Sequence, residues 1–264
     1  MAGRLLSILA TLGCFVVMYL ISFKWARSYL LSILPIGVFC ASYELCYTWF
    51  DIGRVDSLFL FFVLLSAYYL LKGGSKKSLV LSCIALYLGF MTKQSAILFY
   101  LVACLLVLRF GTKKFIWYSI SLAVITFLTI LIYNIASDGW FYYYVFQLGQ
   151  KHALVSNMFI DFWTLDLWHQ FKRPIIIAFI GLILIAYNYR NGYLIPLAAL
   201  VLSLLGISYF GRLHSGGDAN VLMPAFCGIA LLTPFIFHQL QKPIKHLQVL
   251  LLPSLFTLYL GQQL

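Results

Sequence analysis

Apolar residues run along this chain in long unbroken stretches. One example is LFLFFVLLSAYYLL (58–71), fourteen residues without a charge. A membrane β-barrel would need strands of about ten residues in which apolar and polar side chains alternate, and these stretches do not alternate. In lipid the backbone must satisfy its own hydrogen bonds, so the pattern predicts membrane-spanning α-helices.

The sequence predicts an all-α polytopic membrane protein with about ten transmembrane helices. Residues 1–264 form a single transmembrane domain in this prediction, because no linker is long enough to divide the chain. The fourth and fifth spans are short and meet at a tight connection between Thr92 and Ser95. The predicted spans are 5–22, 29–47, 56–71, 78–92, 95–110, 115–133, 174–189, 193–210, 222–238 and 246–262.

Composition agrees with the prediction of a membrane protein. Hydrophobic residues make up 63% of the chain and charged residues 9%, which is not typical of a soluble domain. The net charge of +11 is dispersed over short loops, so it indicates membrane orientation and not nucleic-acid binding. The six cysteines show no metal-ligand spacing and are predicted to be mostly small core residues.

The distribution of charge predicts which helix ends face the cytoplasm. Eleven of the 18 basic residues fall on one side when the spans alternate, and this side is predicted to be cytoplasmic. All seven acidic residues fall on the outer side. Chemistry or binding on the outer face would explain this segregation, and the longer outer loops would explain it in part. The eleven basic residues are Lys24, Arg27, Lys72, Lys76, Lys77, Arg109, Lys113, Lys114, Arg190, Lys242 and Lys245; the acids are Glu44, Asp51, Asp56, Asp138, Asp161, Asp166 and Asp218.

Three charges are concentrated in DIGRVD (51–56), immediately before the third span. A charged side chain near the bilayer centre costs about 2.5–3.5 kcal/mol on insertion scales, so charges beside a span usually have a purpose. Asp56 opens the helix, where the dipole and the backbone N–H groups favour an anion. We predict an ionised Asp56 carboxylate within reach of water, with Asp51 and Arg54 beside it. The plainer alternative is a helix cap with an interfacial ion pair.

One outer loop, residues 134–173, is much longer than the others. Eleven aromatic residues lie between Trp140 and Phe171, a density typical of helices in the lipid headgroup layer. Two interpretations stay open: a platform for a lipid substrate, and a passive aromatic belt.

A glycine-rich outer turn, GRLHSGGDANVLMP (211–224), carries arginine, histidine, aspartate and asparagine side chains close together. Glycines permit close backbone approach and tight turns, but an ordinary turn does not explain Arg, His, Asp and Asn together. We predict one outer cleft in which Asp56 and Asp51 are candidate catalytic residues. The candidate binding residues are Arg54, Lys93, His152, Arg212, His214, Asp218 and Asn220.

These residue types suit a lipid-linked phosphate substrate. Arginine binds two phosphate oxygens at once, lysine supplies a point charge, and both stabilise charge on a leaving phosphate. A carboxylate can accept the proton of an incoming hydroxyl or bind a divalent metal ion with the same effect, so the metal requirement is left open. The chain has no Walker loop, Rossmann fingerprint, HExxH or GxSxG motif, so ATP-driven, redox and serine-hydrolase chemistry has no support.

Five stretches of the chain, taken in order, carry a family resemblance. They are GRLLSILATLG (3–13), DIGRVDSLFLFFVLLSAYYLL (51–71), LGFMTKQSAIL (88–98), GWFYYYVFQLGQKH (139–152) and GGDANVLMP (216–224). Together they resemble bacterial membrane glycosyltransferases of the GT-C type. The likeness is to the family-39 and family-83 group, which includes dolichyl-phosphate-mannose mannosyltransferase-like and aminoarabinose-transferase-like proteins. Each stretch alone is weakly specific, and their order carries the resemblance.

This resemblance implies an inverting transfer of a sugar from a polyprenyl-phosphate donor to a glycan, lipid or protein acceptor, on the outer face of the bacterial inner membrane. On the same resemblance, Asp56 matches an acidic residue that opens a span, and Lys93 matches the lysine of the family's T-K motif. The family usually begins with a span and a large outer loop that carries the principal catalytic aspartate, whereas GRLLSILATLG is similar to its third span. The resemblance therefore implies a truncated, fragmentary or degenerate member, and it leaves open whether this polypeptide is active alone.

Two other classes are compatible with the sequence. A lipid or solute transporter or flippase usually places ionisable groups or broken helices near the bilayer midplane. No Asp, Glu, Lys, Arg or His lies in the middle of a predicted span, which counts against ion coupling but not against a passive flippase. An accessory subunit fits the missing first loop and leaves the segregation of the acids unexplained.

Overall fold

The computed structural model describes residues 2–187 and 194–241. In these residues the secondary structure is helical, apart from an isolated β-bridge between Leu154 and His214. The longest helices are α1 (Ala2–Ala26), α2 (Tyr29–Cys40), α3 (Asp56–Lys72), α4 (Lys76–Thr92), α5 (Ile97–Leu108), α6 (Thr112–Ala136), α7 (Gln170–Tyr187), α8 (Leu194–Arg212) and α9 (Met223–Gln241).

The first nine predicted spans coincide in position with helices α1 to α9. The tenth span, 246–262, lies outside the described residues. Residues 188–189, at the end of the seventh span, and residue 193, at the start of the eighth, also lie outside them. Arg190, Lys242 and Lys245 of the predicted cytoplasmic set also lie outside them. Within the described residues, α1, α6 and α8 are long and apolar enough to cross a membrane. The all-α prediction is confirmed for this part of the chain, and the ten-span topology stays a prediction.

The second helix is shorter than the predicted span 29–47. It ends at Cys40, and twelve residues at 1.5 Å each rise only about 18 Å, less than the roughly 30 Å of a bilayer core. The chain then turns through a 3₁₀ segment, Glu44–Cys46, and two left-handed residues, Tyr47 (φ 49°) and Thr48 (φ 61°). The apolar residues after Cys40 therefore belong to a compact turn at the end of the bundle.

Helix α9 is the central helix of the bundle. Every residue from Val221 to Phe235 is buried, as expected for a helix that is apolar all round. It packs against α1, α2, α7 and α8, while α3 packs against α1 and α4. Helix α6 is peripheral, and most of its apolar side chains are exposed, which is the pattern of a helix that faces lipid.

Small residues and buried hydrogen bonds join the helices, as is usual where lipid surrounds them. Gly13 of α1 lies directly against the Phe61 ring of α3, because a Cβ atom at Gly13 would lie 2.7 Å from two ring carbons. Ser66, Ser82 and Tyr118 form a buried chain across α3, α4 and α6, with Oγ–Oγ and Oγ–OH distances of 2.8 and 3.0 Å. These contacts fix the mutual positions of the helices that carry the site.

Charged residues gather at the two ends of α3, about 25 Å apart at 1.5 Å per residue. Lys24, Arg109 and Lys114 donate hydrogen bonds to backbone carbonyl oxygens at and just beyond its C-terminal end, where the helix dipole favours cations. Asp56 lies at the opposite end. Basic residues assigned to the cytoplasmic side and an acid assigned to the outer side therefore lie at opposite ends of α3. Which side of a membrane each end faces stays a prediction.

Candidate functional site

Three candidate residues from distant parts of the chain meet at the N-terminal end of α3. Asp56 Oδ1 accepts one hydrogen bond from Lys93 Nζ at 2.7 Å and another from Asn220 Nδ2 at 2.9 Å. Asp56 and Asn220 are buried, with 4% and 8% of their surface exposed, and Lys93 is partly exposed. We call these three residues the Asp56 cluster.

Local backbone geometry positions Asp56 and Lys93. Asp56 is the first residue of α3 and follows a turn at Gly53, whose φ of +80° favours glycine. Lys93 ends α4 in an extended conformation (φ −154°, ψ 124°), and its N–H donates to the Gly89 carbonyl oxygen at 2.9 Å. A 3₁₀ turn, Gln94–Ala96, follows directly. Because Lys93 is extended between two helical segments, its side chain reaches Asp56 at the start of α3.

Asn220 is held by a 3₁₀ turn, Ala219–Leu222, just before α9. Asp218 caps this turn, since its Oδ1 accepts the first N–H of the turn at 2.7 Å. Gly217 has no room for a side chain, because a Cβ atom would lie 2.2 Å from the Gly211 carbonyl oxygen. This close approach brings the turn onto the end of α8 and places Asn220 beside Asp56.

Asp56 lies deeper than the sequence predicts. We predicted a carboxylate within reach of water, and this was wrong, because its partners and apolar neighbours leave only 4% of it exposed. Of the plainer alternative, the ion pair is present, since Asp56 pairs with Lys93 and Asp51 with Arg4, but the helix cap is not. In the part of the chain that the structure describes, the side chain accepts hydrogen bonds from Lys93 and Asn220 and from no backbone N–H of α3.

A cavity of about 40 Å³ adjoins the Asp56 cluster. At roughly 10–15 Å³ for a water molecule, it has room for a few waters or one small polar group. Its apolar walls come from Phe59, Ile207, Val221 and Pro224. Asp56 and Ser95 also line it, and within residues 2–187 and 194–241 Asp56 Oδ2 and Ser95 Oγ are buried without a hydrogen-bond partner. Sequence reasoning missed Ser95, which has the appearance of an ordinary turn residue.

The Asp56 carboxylate is hydrogen-bonded through one of its two oxygens. One oxygen of Asp56 is bound by an ammonium and an amide, which leaves the second oxygen as an acceptor. Among the described residues, no group of three or more histidine, cysteine, aspartate or glutamate side chains could hold a metal ion. The divalent metal that the sequence left open therefore has no such ligand set in this part of the chain.

Arg212 lies next to the cluster in sequence and structure but is bound to a carboxylate. Its Nε and Nη2 donate to Asp166 Oδ2 and Oδ1 at 2.6 and 3.3 Å, and its Nη1 donates to the Gly217 carbonyl oxygen at 2.7 Å. This pair joins the long outer loop to the glycine-rich turn. The sequence did not indicate Asp166 as the partner, because 46 residues separate the two and no local pattern links them.

The long outer loop is attached to the same turn by its backbone. Residues 153–155 pair with 213–215 through the β-bridge and two hydrogen bonds of 2.9 Å. The His152 ring lies against Gly216, where a Cβ atom would lie 3.2 Å from the ring. His152 and His214 are both exposed. They belong to this junction and do not line the cavity.

Asp51, the second candidate for catalysis, does not line the cavity. Its Oδ2 accepts a hydrogen bond from Arg4 Nη2 at 2.7 Å, and its Oδ1 accepts one from the Tyr43 hydroxyl at 3.0 Å. The hydrogen bond from Arg4 holds the pKa of the Asp51 carboxyl below its ordinary value. Asp51 thus joins the start of α1 to the turn before α3.

Arg54 is exposed and stacks on the Trp49 ring, with its guanidinium carbon 4.7 Å from the ring centroid. No carboxylate pairs with it in the residues that the structure covers. Of the predicted site residues, the structure therefore brings Asp56, Lys93 and Asn220 into contact and leaves Arg54 on the surface.

The aromatic part of the long outer loop forms two irregular helical segments, over residues 140–150 and 158–169. Large apolar side chains are exposed along both, including Trp140, Trp163 and Trp168. The first segment begins close after α6, one of the helices long enough to span a membrane. The location in the headgroup layer stays a prediction, and the choice between a substrate platform and a passive belt stays open.

Comparison with known proteins finds no family model, no curated protein and no solved structure that matches the chain.

Proposed function

We propose that this chain is a membrane glycosyltransferase, which transfers a sugar from a polyprenyl-phosphate-linked donor to an acceptor hydroxyl at the Asp56 cluster. The observation that carries the proposal is the buried Asp56 carboxylate. Lys93 and Asn220 bind one of its oxygens, and the residue lines a cavity large enough for a hydroxyl group. The second oxygen of this carboxylate has no hydrogen-bond partner in the described residues, which supports a role for Asp56 as general base.

The family-like stretches support the same class. The stretches 51–71, 88–98 and 216–224 contribute Asp56, Lys93 and Asn220 respectively. These three residues are in contact although up to 164 residues separate them. A shared functional site would explain why family-like stretches that are distant in sequence contribute side chains that contact one another.

In the proposed step, the acceptor hydroxyl oxygen forms a bond to the anomeric carbon while the bond from that carbon to the phosphate oxygen breaks. The hydroxyl proton passes to Asp56, and the polyprenyl phosphate leaves with the electron pair of the broken bond. Lys93 uses one of its three N–H groups on Asp56, so two are available for a phosphate oxygen. A general base of this kind contributes about 10²–10⁴-fold to the rate.

The surrounding residues have separate roles in this proposal. Arg54 is the exposed guanidinium for the donor phosphate, and Arg212 positions the turn that carries Asn220. The aromatic segments of residues 140–169 hold the polyprenyl chain at the headgroup level. The proposal includes the finer topology: ten spans of GT-C type, with the Asp56 cluster on the extracytoplasmic face of a bacterial inner membrane.

The test is sugar transfer in membranes from cells that express the chain, its Asp56→Asn variant, or neither. A panel of radiolabelled polyprenyl-phosphate hexoses and pentoses serves as donor, and label in lipid, glycan and protein is measured. We expect transfer with the unaltered chain and a loss of about 10²-fold or more in Asp56→Asn. Asp138→Asn is the matched control, because Asp138 is an exposed outer acid in a left-handed conformation that asparagine also adopts.

Full transfer by Asp56→Asn at normal protein levels would contradict the role of Asp56. No transfer from any donor by the unaltered chain would contradict the proposal that this chain transfers the sugar by itself. Movement of the donor across vesicle membranes without transfer would favour a flippase instead.

A further inference from the structure

Five cations meet at the C-terminal end of α3, and the proposed function uses none of them. Lys24, Arg109 and Lys114 donate hydrogen bonds to backbone carbonyl oxygens at this end of the helix or just beyond it. Lys72 is the last residue of α3, and Arg27 directly follows α1. Electrostatic repulsion from Arg27, Lys72 and Arg109 acts on the Lys24 ammonium, so these charges lie close together. We call the five residues the basic end.

The sequence places no acidic side chain beside these charges. Residues 1–43 and 57–137 contain the whole basic end and no aspartate or glutamate. Asp56 lies at the opposite end of α3, and the ion pairs within the described residues all involve other cations. The carbonyl oxygens at the end of α3 offset only part of the charge. Because like charges at short range repel one another, a bound anion would stabilise the group.

Arg27 has a backbone conformation that arginine rarely adopts. Its φ of +51° lies in the left-handed region, where glycine or asparagine is usual at the end of a helix. Backbone conformations of this kind are found more often at functional sites than elsewhere. The side chain is exposed, so packing does not explain the choice of arginine. The residue supplies a guanidinium at a place where glycine would be less strained.

Exposed apolar side chains border the basic end. Leu108 precedes Arg109, and Ile116 and Trp117 follow Lys114 on α6, with 42–48% of each apolar residue exposed. Helices α1 and α6 are both long and apolar enough to cross a membrane. At the ends of such helices, cationic side chains lie at the headgroup level and apolar side chains face the acyl chains. The surface therefore matches a phospholipid in both its charged and its apolar part.

We propose that the basic end binds the phosphate of an anionic phospholipid, whose acyl chains lie against Leu108, Ile116 and Trp117. Arg27 and Lys72 supply exposed charges, and a guanidinium can bind two phosphate oxygens at once. A lipid with a net negative charge is preferred over a zwitterionic one, because the choline ammonium of the latter adds a further cation. The binding does not depend on the proposed sugar transfer, whose site lies at the other end of α3.

The test is native mass spectrometry of the purified full chain in a neutral detergent. The chain is titrated with phosphatidylglycerol or with phosphatidylcholine of identical acyl chains. We expect phosphatidylglycerol to bind more than about 10-fold more tightly, with an affinity that falls as ionic strength rises. Glycerol 1-phosphate at the concentration of the lipid should not displace it, because it lacks the acyl chains.

Two pairs of substitutions separate the role of charge from that of the fold. Arg27→Asn combined with Lys72→Gln should weaken phosphatidylglycerol binding by about 5-fold for each removed charge. The fold should be retained, because asparagine also adopts the left-handed conformation and Lys72 is exposed. Arg27→Lys combined with Lys72→Arg keeps both charges and should keep most of the binding.

Lys151→Gln combined with Lys172→Gln is the matched control. This variant removes two exposed charges from the long outer loop and should leave the preference for phosphatidylglycerol unchanged. An equal loss in this control would show that only net charge attracts the lipid and would overturn the proposal. Equal affinity for the two lipids, or full phosphatidylglycerol binding after Arg27→Asn and Lys72→Gln, would also overturn it. Displacement by glycerol 1-phosphate would contradict a lipid site and make the basic end a site for a free phosphate.

Discussion

At the scale of the residue, the partners of Asp56 determine what its replacement costs. The Asp56 side chain is 4% exposed and that of Lys93 26%, so the pair is mostly removed from water. Breaking a buried ion pair leaves one charge unpaired, which usually costs more than removal of both charges. The two members should therefore be strongly coupled in stability.

We expect Lys93→Met to lower the free energy of unfolding by about 3 kcal/mol, near the lower end of the range for buried pairs because Lys93 keeps some contact with water. Lys93→Met combined with Asp56→Asn should recover most of this loss, since the buried charge is then absent. Unfolding in mixed micelles measures both effects. Lys77→Met, at an exposed lysine near the start of α4, is the control and should have little effect. A double variant no more stable than Lys93→Met would contradict the coupling.

At the scale of the element, close packing of α1 against α3 holds the first residue of α3 in place. We expect Gly13→Ala to destabilise the fold by about 1–3 kcal/mol, because the new methyl group would overlap the Phe61 ring. Phe61→Ala in the same background should relieve much of the overlap. The unfolding free energy is the measurement, and Gly206→Ala is the matched control in α8. At Gly206 no atom of the described residues lies within 4 Å of a Cβ atom, so an equal loss there would contradict the packing argument.

The sequence predicted the helices because their apolar runs are long, and it failed where an apolar run does not continue as a helix. The residues after Cys40 are apolar enough to extend α2, but the left-handed Tyr47 and Thr48 turn the chain. Such a turn depends on contacts with other elements, which apolar periodicity does not report.

For the site, the sequence indicated Asp56, Lys93 and Asn220 because charged and amide side chains are conspicuous beside spans. It did not indicate Ser95 or Asp166, because a serine in a turn and an acid in a long loop are ordinary. It also placed Asp56 in water, since burial by a turn 164 residues away leaves no trace in the neighbouring sequence.

At the scale of the whole molecule, the two charged ends of the bundle predict its orientation. We expect an added cysteine at Ser156 to react with an impermeant maleimide in intact cells and one at Ser75 to react only after lysis. The basis is that Ser75 lies at the end with Lys24, Arg109 and Lys114, while Ser156 lies in the long outer loop. Cys40 is exposed and can also react with the maleimide. Labelling of the chain without an added cysteine measures this background. Labelling at 75 but not at 156 in intact cells would reverse the topology.

The central position of α9 has a consequence for biosynthesis. Asn220 leaves the ribosome 164 residues after Asp56, an interval of roughly 8–33 s at 5–20 residues per second. During that time α1 and α2 have no α9 to pack against, and Asp56 lacks Asn220 even after Lys93 has been made. Helices α1 and α2, and each later helix once it has been made, must therefore wait for the α9 contacts. Any factor that shields half-assembled membrane helices from proteolysis has its greatest effect on this protein in that interval.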